Sequence, residues 1–497
     1  MSLAAFHDLQ AGLAPRPRSS RRAVLQAALA SAGGLLSLTR QVRAQAARPL
    51  PRIVVIGAGF AGLACADELA QVGFPVRIAE ARNRVGGRVV THRDIVPGKT
   101  VEGGGELIGP NQPTWMAYAK RFGLSFVELP WNPSDTIVLQ GQPLPPPTAR
   151  ALWNEMREAL ARLNPLAKSI DALRPWLSAD AKQIDAQSLD DWIRGLDVDD
   201  RVKQLIAIQM TGINGLIPAW QSLLGILAIV RGGGLQKFWD ETDTLHCVGG
   251  AQQLAIKLQQ SFVARCGNEA CQLNLPVEAI RRRRDHWQVS FADGRTWEAD
   301  EIVLTAPPST WSKIAFEPTL PPELSIPMAV STKYIAVADR AVWQTLGREP
   351  NAMSSGPIQL TWETTAGQGA LGQHALVAYA GGAAADEIRG LDPAAREATI
   401  RAQLETFYPG YAQAMRGGRF LDWMADPWAR GSYSFPAPGQ VTTVGPLLDR
   451  GLPHGLHFAG EYACYAFTGW MEGALASGVG VARKIAERSG VVEPRGK

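Results

Sequence analysis

Three glycines, Gly57, Gly59 and Gly62, are spaced as G-x-G-x-x-G, and a carboxylate, Glu80, follows eighteen residues after the last of them. That pattern suits one task. The first glycine permits a tight turn, the second lets the backbone approach a pyrophosphate, and the third lets a helix pack closely on a strand; Phe60 and Ala61 open that helix, whose N-terminus favours phosphate charge. Glu80 then stands where a carboxylate accepts from ribose hydroxyls, so the chemistry expected here is dinucleotide binding. A second group of residues is harder to read alone. Lys333, in the alternating run Ala329 to Val337, is an ammonium among apolar neighbours. It is costly to bury without a partner, and the alternatives are a functional charge or a solvated strand edge. Trp423, Tyr433 and Trp470 are large rings near the C-terminal end, suited either to a flat ligand or to an aromatic core.

The elements that must position these groups are legible around the first motif. Pro51 to Gly57 is a short apolar strand, Ala61 to Val72 an amphipathic helix, and Val76 to Glu80 a second strand, which makes one βαβ unit. After the Pro-rich stretch at 143–147 the chain reads as mostly helical from Ala149 to Leu235, with helices at Ala149 to Leu163, Ser188 to Gly195 and Pro218 to Arg231. Strand character returns after Gly249-Gly250, at Val277 to Arg282, Trp287 to Phe291, Arg295 to Ala299 and Glu301 to Thr305, with a hairpin turn at Asp293-Gly294. Runs at Lys333 to Ala338 and Ala375 to Ala380, a helix at Pro393 to Phe407, a strand at Leu456 to Ala459 and a closing helix complete the pattern. The fold class is α/β, with a Rossmann-like unit at 51–125, 246–322 and 423–488 interleaved with a mixed-sheet and helical unit at 126–245 and 323–422.

Beyond Glu80 the chain continues Ala81-Arg82-Asn83-Arg84-Val85-Gly86-Gly87-Arg88, then Glu102-Gly-Gly104-Gly105-Glu106, Val248-Gly249-Gly250 with Val277, and finally Phe458-Ala-Gly460-Glu461 and Gly469-Trp470-Met471-Glu-Gly-Ala474. In these blocks it resembles the flavin-containing amine oxidase family from about residue 51 to 487. The resemblance implies FAD as cofactor. It places Ala81 and Arg82 along the adenosine half, Gly87 and Arg88 against the diphosphate, Gly104, Gly105 and Glu106 near the isoalloxazine ring, Val277 with the Val248–Gly250 stretch near adenine, and Gly460, Glu461, Trp470 and Met471 over the ribityl chain and pyrimidine edge. It also makes Lys333 the lysine that reaches flavin N5 through water, and sets Trp423, Tyr433 and Trp470 around the flavin face, with Tyr433 and Trp470 flanking the substrate nitrogen. Two facing rings align a C–N bond and favour the neutral amine.

Two positions depart from the family pattern. Ser432 stands where some monoamine oxidases join a cysteine to the flavin, so the FAD is expected to be non-covalent. Glu106-Leu107 stands where animal-type L-amino-acid oxidases carry an arginine for the substrate carboxylate; Glu106 either faces a cationic or neutral substrate or contacts flavin. The implied reaction is oxidative deamination of a small-molecule amine, with O2 reduced to H2O2. The alternatives are an L-amino-acid oxidase, a periplasmic amine dehydrogenase feeding a cytochrome, and a non-catalytic flavin-binding protein.

At 497 residues, 46% hydrophobic and 19% charged, the chain is expected to form two or three compact domains. Its net charge of +4 is carried by residues 1–46, which hold six Arg and one Asp; the remainder is near neutral, and no nucleic-acid partner is expected. That leader runs Ser20-Arg21-Arg22-Ala23, a mildly apolar stretch to Leu38, then Ala44-Gln45-Ala46. It resembles a twin-arginine (Tat) signal, which implies the Tat export machinery as a partner and a periplasmic or secreted mature protein with no stable membrane anchor. Five unevenly spaced cysteines form no metal-type grouping, so no metal is expected. Pairing of Cys266 with Cys271 and assembly into a homodimer both stay open.

Overall fold

The computed structural model describes residues 49–129, 136–369 and 372–493. The leader therefore lies outside the described residues. Ile53–Ile56 is the centre of a five-stranded parallel sheet, ordered Leu456–Phe458, Glu301–Leu304, Ile53–Ile56, Val76–Ala79, Cys271–Gln272. All four residues of the central strand are buried, as a parallel strand covered on both faces requires. Helix Phe60–Gln71 follows at once. The long C-terminal helix Met471–Arg488 lies against it at a point where only glycine fits. A Cβ on Gly478 would stand 2.2 Å from the Ala61 carbonyl oxygen. The last helix of the chain is thereby seated on the first.

A four-stranded sheet beside this layer is ordered Thr296–Ala299, Trp287–Phe291, Val277–Arg282, Ala315–Glu317. The expected turn at Asp293-Gly294 joins its first hairpin, with Gly294 at φ +84°. A third, seven-stranded sheet is ordered Met415–Asp422, Ser331–Ala338, His374–Gly381, Leu360–Glu363, Ala352–Ser354, Thr136–Leu139, Gln142–Pro143. In it Lys333 lies directly opposite Tyr379 on one side and Leu421 on the other, so an interior strand carries the lysine. The solvated-edge alternative fails on that point.

The helical stretch includes Pro146–Ala161, Asp200–Asn214 and Leu223–Gly232. One expected helix is corrected. Pro218 to Arg231 is not continuous: a single 3-10 turn at Pro218–Trp220 ends in extended backbone at Gln221, and Ser222 caps a new helix by accepting from Gly225 N. Ser222 is itself held by the buried Asp185 at 2.6 Å, so a local side-chain cap restarts the helix at Leu223. All five cysteines are free.

Candidate active site

The three sheets and the helical stretch enclose one large cavity, with about 390 Å³ open to the centre of a water molecule. One end is the glycine loop. Gly57 holds φ +109°, and a Cβ on Gly62 would stand 2.0 Å from the Gly57 carbonyl oxygen. At Gly59, by contrast, a Cβ would meet no protein atom within 4 Å. The backbone at the N-terminus of helix Phe60–Gln71 thus borders open space where a phosphate is stabilised. Glu80 is buried, accepting from Ala58 N at 2.7 Å and Arg82 N at 2.8 Å. Burial raises its carboxyl above the usual range despite those two donors. Each carboxylate oxygen accepts more than one hydrogen bond, so Glu80 braces the loop and keeps capacity for hydroxyl donors. The cradle fits a dinucleotide.

Ala81, Arg82, Gly87, Arg88, Val277, Gly460, Glu461 and Met471 line the same cavity, but their charges are already paired. Arg82 forms a bidentate bridge to Asp426 at 2.8 Å. Nη1 of Arg88 is committed to Ser432 O at 2.7 Å and Glu461 at 3.0 Å, which leaves its other guanidinium nitrogens for a diphosphate. Glu461 is saturated further by Ser434 Oγ at 2.7 Å and Gly469 N at 3.0 Å. It pins together the loops before and after it. A correction concerns Val248 to Gly250, expected near adenine. This turn does not line the cavity: Val248 is half exposed, and Gly250 abuts Thr91. Only Val277, with Leu275, reaches that end.

At the other end Lys333 Nζ donates to Glu106 at 2.6 Å and to Gly104 O at 2.9 Å, and sits 5.3 Å from the Trp362 ring centre. His246 Nε2 lies 3.1 Å from the second Glu106 oxygen. Burial alone would raise the Glu106 carboxyl, but Lys333 and His246 outweigh it and hold it far below the usual range. Glu106 is therefore the counter-ion of Lys333. The sequence left this residue open between substrate and flavin; it lines the cavity with Lys333 as its ion-pair partner. A Cβ on Gly104 would collide with the Arg88 carbonyl oxygen at 1.8 Å, and one on Gly105 would press on the Met471 side chain at 3.1 Å.

Trp423 donates its indole N–H to Gly103 O at 3.0 Å. Tyr433 donates to Gly212 O at 2.9 Å and meets the Tyr379 hydroxyl at 2.5 Å. Since the single Tyr433 proton goes to the carbonyl, Tyr379 is the donor in that pair. Trp470 Nε1 donates to Asp243 at 3.1 Å, and its ring packs edge-on against Phe238. Tyr433 and Trp470 line one cavity, each anchored by its polar tip to a different element. Trp153, Gln209, Gly212, Ile213 and Asp243 are the contributions of the helical stretch. Asp243, His246 and Tyr379 were not foreseen: an aspartate between a helix and a strand reads as a turn residue. Ser432 Oγ accepts from Ser331 Oγ at 2.7 Å, so no thiol is present to bond a cofactor there. Denaturing the yellow holoprotein in acid should release all of its flavin to the supernatant; a flavin-coloured pellet would contradict this. Among the described residues no group of His, Cys, Asp and Glu is arranged to hold a metal, and no helix is long and apolar enough to cross a membrane.

The sequence profile described as "Flavin containing amine oxidoreductase" matches residues 60–486. An L-amino acid dehydrogenase of Synechocystis sp. is 24% identical over 462 residues, covering 87% of this chain and 94% of the relative. A putrescine oxidase of Kocuria rosea is 27% identical over 437 residues, covering 80% and 88%. The solved structure of a cyclohexylamine oxidase from Brevibacterium oxydans superposes with a TM-score of 0.78 at 25% identity, over 88% of this chain and 99% of that one.

Proposed function

Because the chain belongs to the flavin-containing amine oxidoreductase family, and is therefore an FAD-dependent amine oxidoreductase, we propose that it deaminates a primary amine, releasing ammonia and passing the electrons to O2 as H2O2. The observation that carries the reading is the continuity of one cavity from the glycine cradle at Gly57 to the rings of Tyr433 and Trp470. Bound FAD supplies a two-electron acceptor for the carbon that carries the amine. The chain supplies position and environment. Tyr433, anchored at its hydroxyl by Gly212 O, and Trp470, anchored at its indole N–H by Asp243, line the same cavity, where they would position an amine. Burial raises the Tyr433 hydroxyl well above its ordinary value, so Tyr433 stays neutral and serves as a wall, not as a base. Lys333 and Glu106 keep a fixed ion pair in a site shielded from bulk water, where preorganised charge acts most strongly.

The charges also favour a free amine over an amino acid. Arg82, Arg88 and Lys333 line the cavity and each is bridged to a carboxylate; the nitrogens that Arg88 keeps are those left for the diphosphate, and Lys313, a further cation of the lining, donates to Pro427 O. A relative named for an L-amino acid keeps the opposite reading in play. Anaerobic stopped-flow mixing of holoprotein with a panel of primary amines and amino acids tests both. Amines should bleach the flavin absorbance; bleaching by amino acids alone would transfer the assignment, and bleaching by nothing would end it. Bleaching with negligible oxygen uptake would favour a dehydrogenase that passes electrons to a cytochrome.

The division into an FAD-binding unit (51–125, 246–322, 423–488) and a substrate unit (126–245, 323–422) is supported by sheet membership. All strands of the parallel sheet fall in the first and all seven of the third sheet in the second. Export rests on Arg21-Arg22 and Ala44-Gln45-Ala46. The N-terminal sequence of periplasmic protein should begin just after Ala46; a cytoplasmic product retaining Arg21 would refute it.

A further inference from the structure

We propose that Asp243 is the specificity-determining residue of the site: its carboxylate, set against Trp470 in the wall of the aromatic slot, attracts a cationic amine and repels a substrate bearing an α-carboxylate. The proposal rests on the amine-oxidising reading above and adds to it the residue that reads substrate charge.

Four observations meet at this side chain. Asp243 lies in the turn between helix Gln236–Glu241 and strand Leu245–Cys247 and lines the cavity with Tyr433 and Trp470. It accepts from Trp470 Nε1 at 3.1 Å and shares the cavity lining with Tyr433. Its backbone sits at φ +67°, a left-handed conformation that aspartate tolerates better than most residues, held where the surroundings fix it. Finally, burial pushes its carboxyl up to about 7, with the Trp470 hydrogen bond only partly opposing. A cation beside this carboxyl favours its charged form and an anion disfavours it.

The rest of the slot does not supply that discrimination. Glu106 is neutralised by Lys333 at 2.6 Å and flanked by His246, and the nearby Lys237 and Glu241 of the preceding helix pair with one another at 3.4 Å. The remaining lining residues contributed by the helical stretch, Trp153, Gln209, Gly212 and Ile213, carry no charge. Trp470 also depends on Asp243 for the direction of its indole N–H. One residue therefore sets both a ring and a charge, and two substitutions separate the two effects. Asp243→Asn keeps an oxygen that can accept from Trp470 and removes the charge. Asp243→Ala removes both.

The test compares phenethylamine with phenylalanine, which differ by one carboxylate, on FAD-loaded protein. Wild type should oxidise phenethylamine in strong preference. Asp243→Asn should lower kcat/KM for phenethylamine by about 10- to 100-fold, the size of a lost charge-assisted hydrogen bond. The loss should fall mainly in KM, and the ratio between the two substrates should narrow by a similar factor. Asp243→Ala should lose kcat in addition, as Trp470 is freed. An unchanged KM and substrate ratio in Asp243→Asn with full FAD content would overturn the proposal, as would a wild-type preference for phenylalanine. If Asp243→Asn does not retain FAD, Asp243→Glu decides: it keeps the charge, so loss of discrimination there also overturns the proposal. Wild-type protein whose flavin neither probe nor any other amine reduces would instead refute the amine-oxidising reading itself.

Discussion

Replacing Lys333 by methionine should cost about 3–5 kcal/mol of stability, the size expected when one partner of a buried ion pair is removed and the other left uncompensated. Both members are enclosed, with side-chain exposures of 11% for Lys333 and 2% for Glu106. After the substitution His246 remains beside the Glu106 carboxylate, and the Glu102 carboxyl nearby adds repulsion. The prediction has a pH signature with a definite sign. In wild type the folded-state pKa of Glu106 is depressed, so its contribution is present above the unfolded value near 4.5 and is lost only as pH falls through the lower folded value. In Lys333→Met burial dominates and the folded pKa rises, so the variant's penalty is largest at neutral pH and shrinks as pH drops towards 4.5. The difference in unfolding midpoint between wild type and variant should therefore narrow on acidification. Adding Glu106→Gln should restore most of the loss at pH 7, because no buried charge then remains. A gap that is independent of pH, or a double variant no more stable than the single one, would mean that the pair carries no such energy. We place the catalytic share of Lys333 in the oxygen half of the reaction. Oxygen uptake at saturating amine should fall by roughly 100-fold, as for loss of one preorganised charge, while anaerobic bleaching by amine persists.

That pair also marks the boundary of what the sequence could show. The G-x-G-x-x-G loop, its strand and helix, and Glu80 are local: a period, a turn and a spacing within about thirty residues, so they are read without knowing any tertiary contact. Helix Phe60–Gln71 and strands Val277–Arg282 and Trp287–Phe291 appear where periodicity puts them. Lys333, Tyr433 and Trp470 entered only through resemblance, because nothing in an alternating strand distinguishes an ion-paired lysine from a solvated one. Their partners were out of reach altogether. Glu106 meets Lys333 across 227 residues, Arg88 meets Glu461 across 373, and Asp243 meets Trp470 across 227. Such pairs depend on how sheets are stacked, and neither hydrophobic period nor turn chemistry encodes that. Tyr379 shows the limit most clearly. It reads as one more apolar strand residue, and only the register Lys333 to Tyr379 brings it to the face where it donates to Tyr433.

The glycine loop offers the sharpest separation between folding and cofactor binding, since neighbouring glycines are needed for different reasons. A Cβ on Gly62 would stand 2.0 Å from the Gly57 carbonyl oxygen and 3.0 Å from Thr305 Oγ1, so the helix must move off the strand to admit it. Overpacking of this kind costs about 1–3 kcal/mol. Gly62→Ala should therefore melt earlier even as apoprotein, and the displaced helix N-terminus should weaken FAD by up to about 100-fold at 1.4 kcal/mol per decade. At Gly59 the situation is reversed. A Cβ there would meet nothing in the protein within 4 Å, and the residue's φ of −75° suits any side chain. Gly59→Ala apoprotein should thus melt at the wild-type temperature or slightly above it, helped by a less flexible unfolded chain. Its added methyl instead occupies the space bordering the helix N-terminus, so FAD titration should show weakened binding without loss of fold. Apoprotein melting followed by FAD titration of both variants separates the cases. A destabilised Gly59→Ala apoprotein, or a Gly59→Ala protein that binds FAD as tightly as wild type, would show that the open space beside Gly59 is not where the pyrophosphate lies.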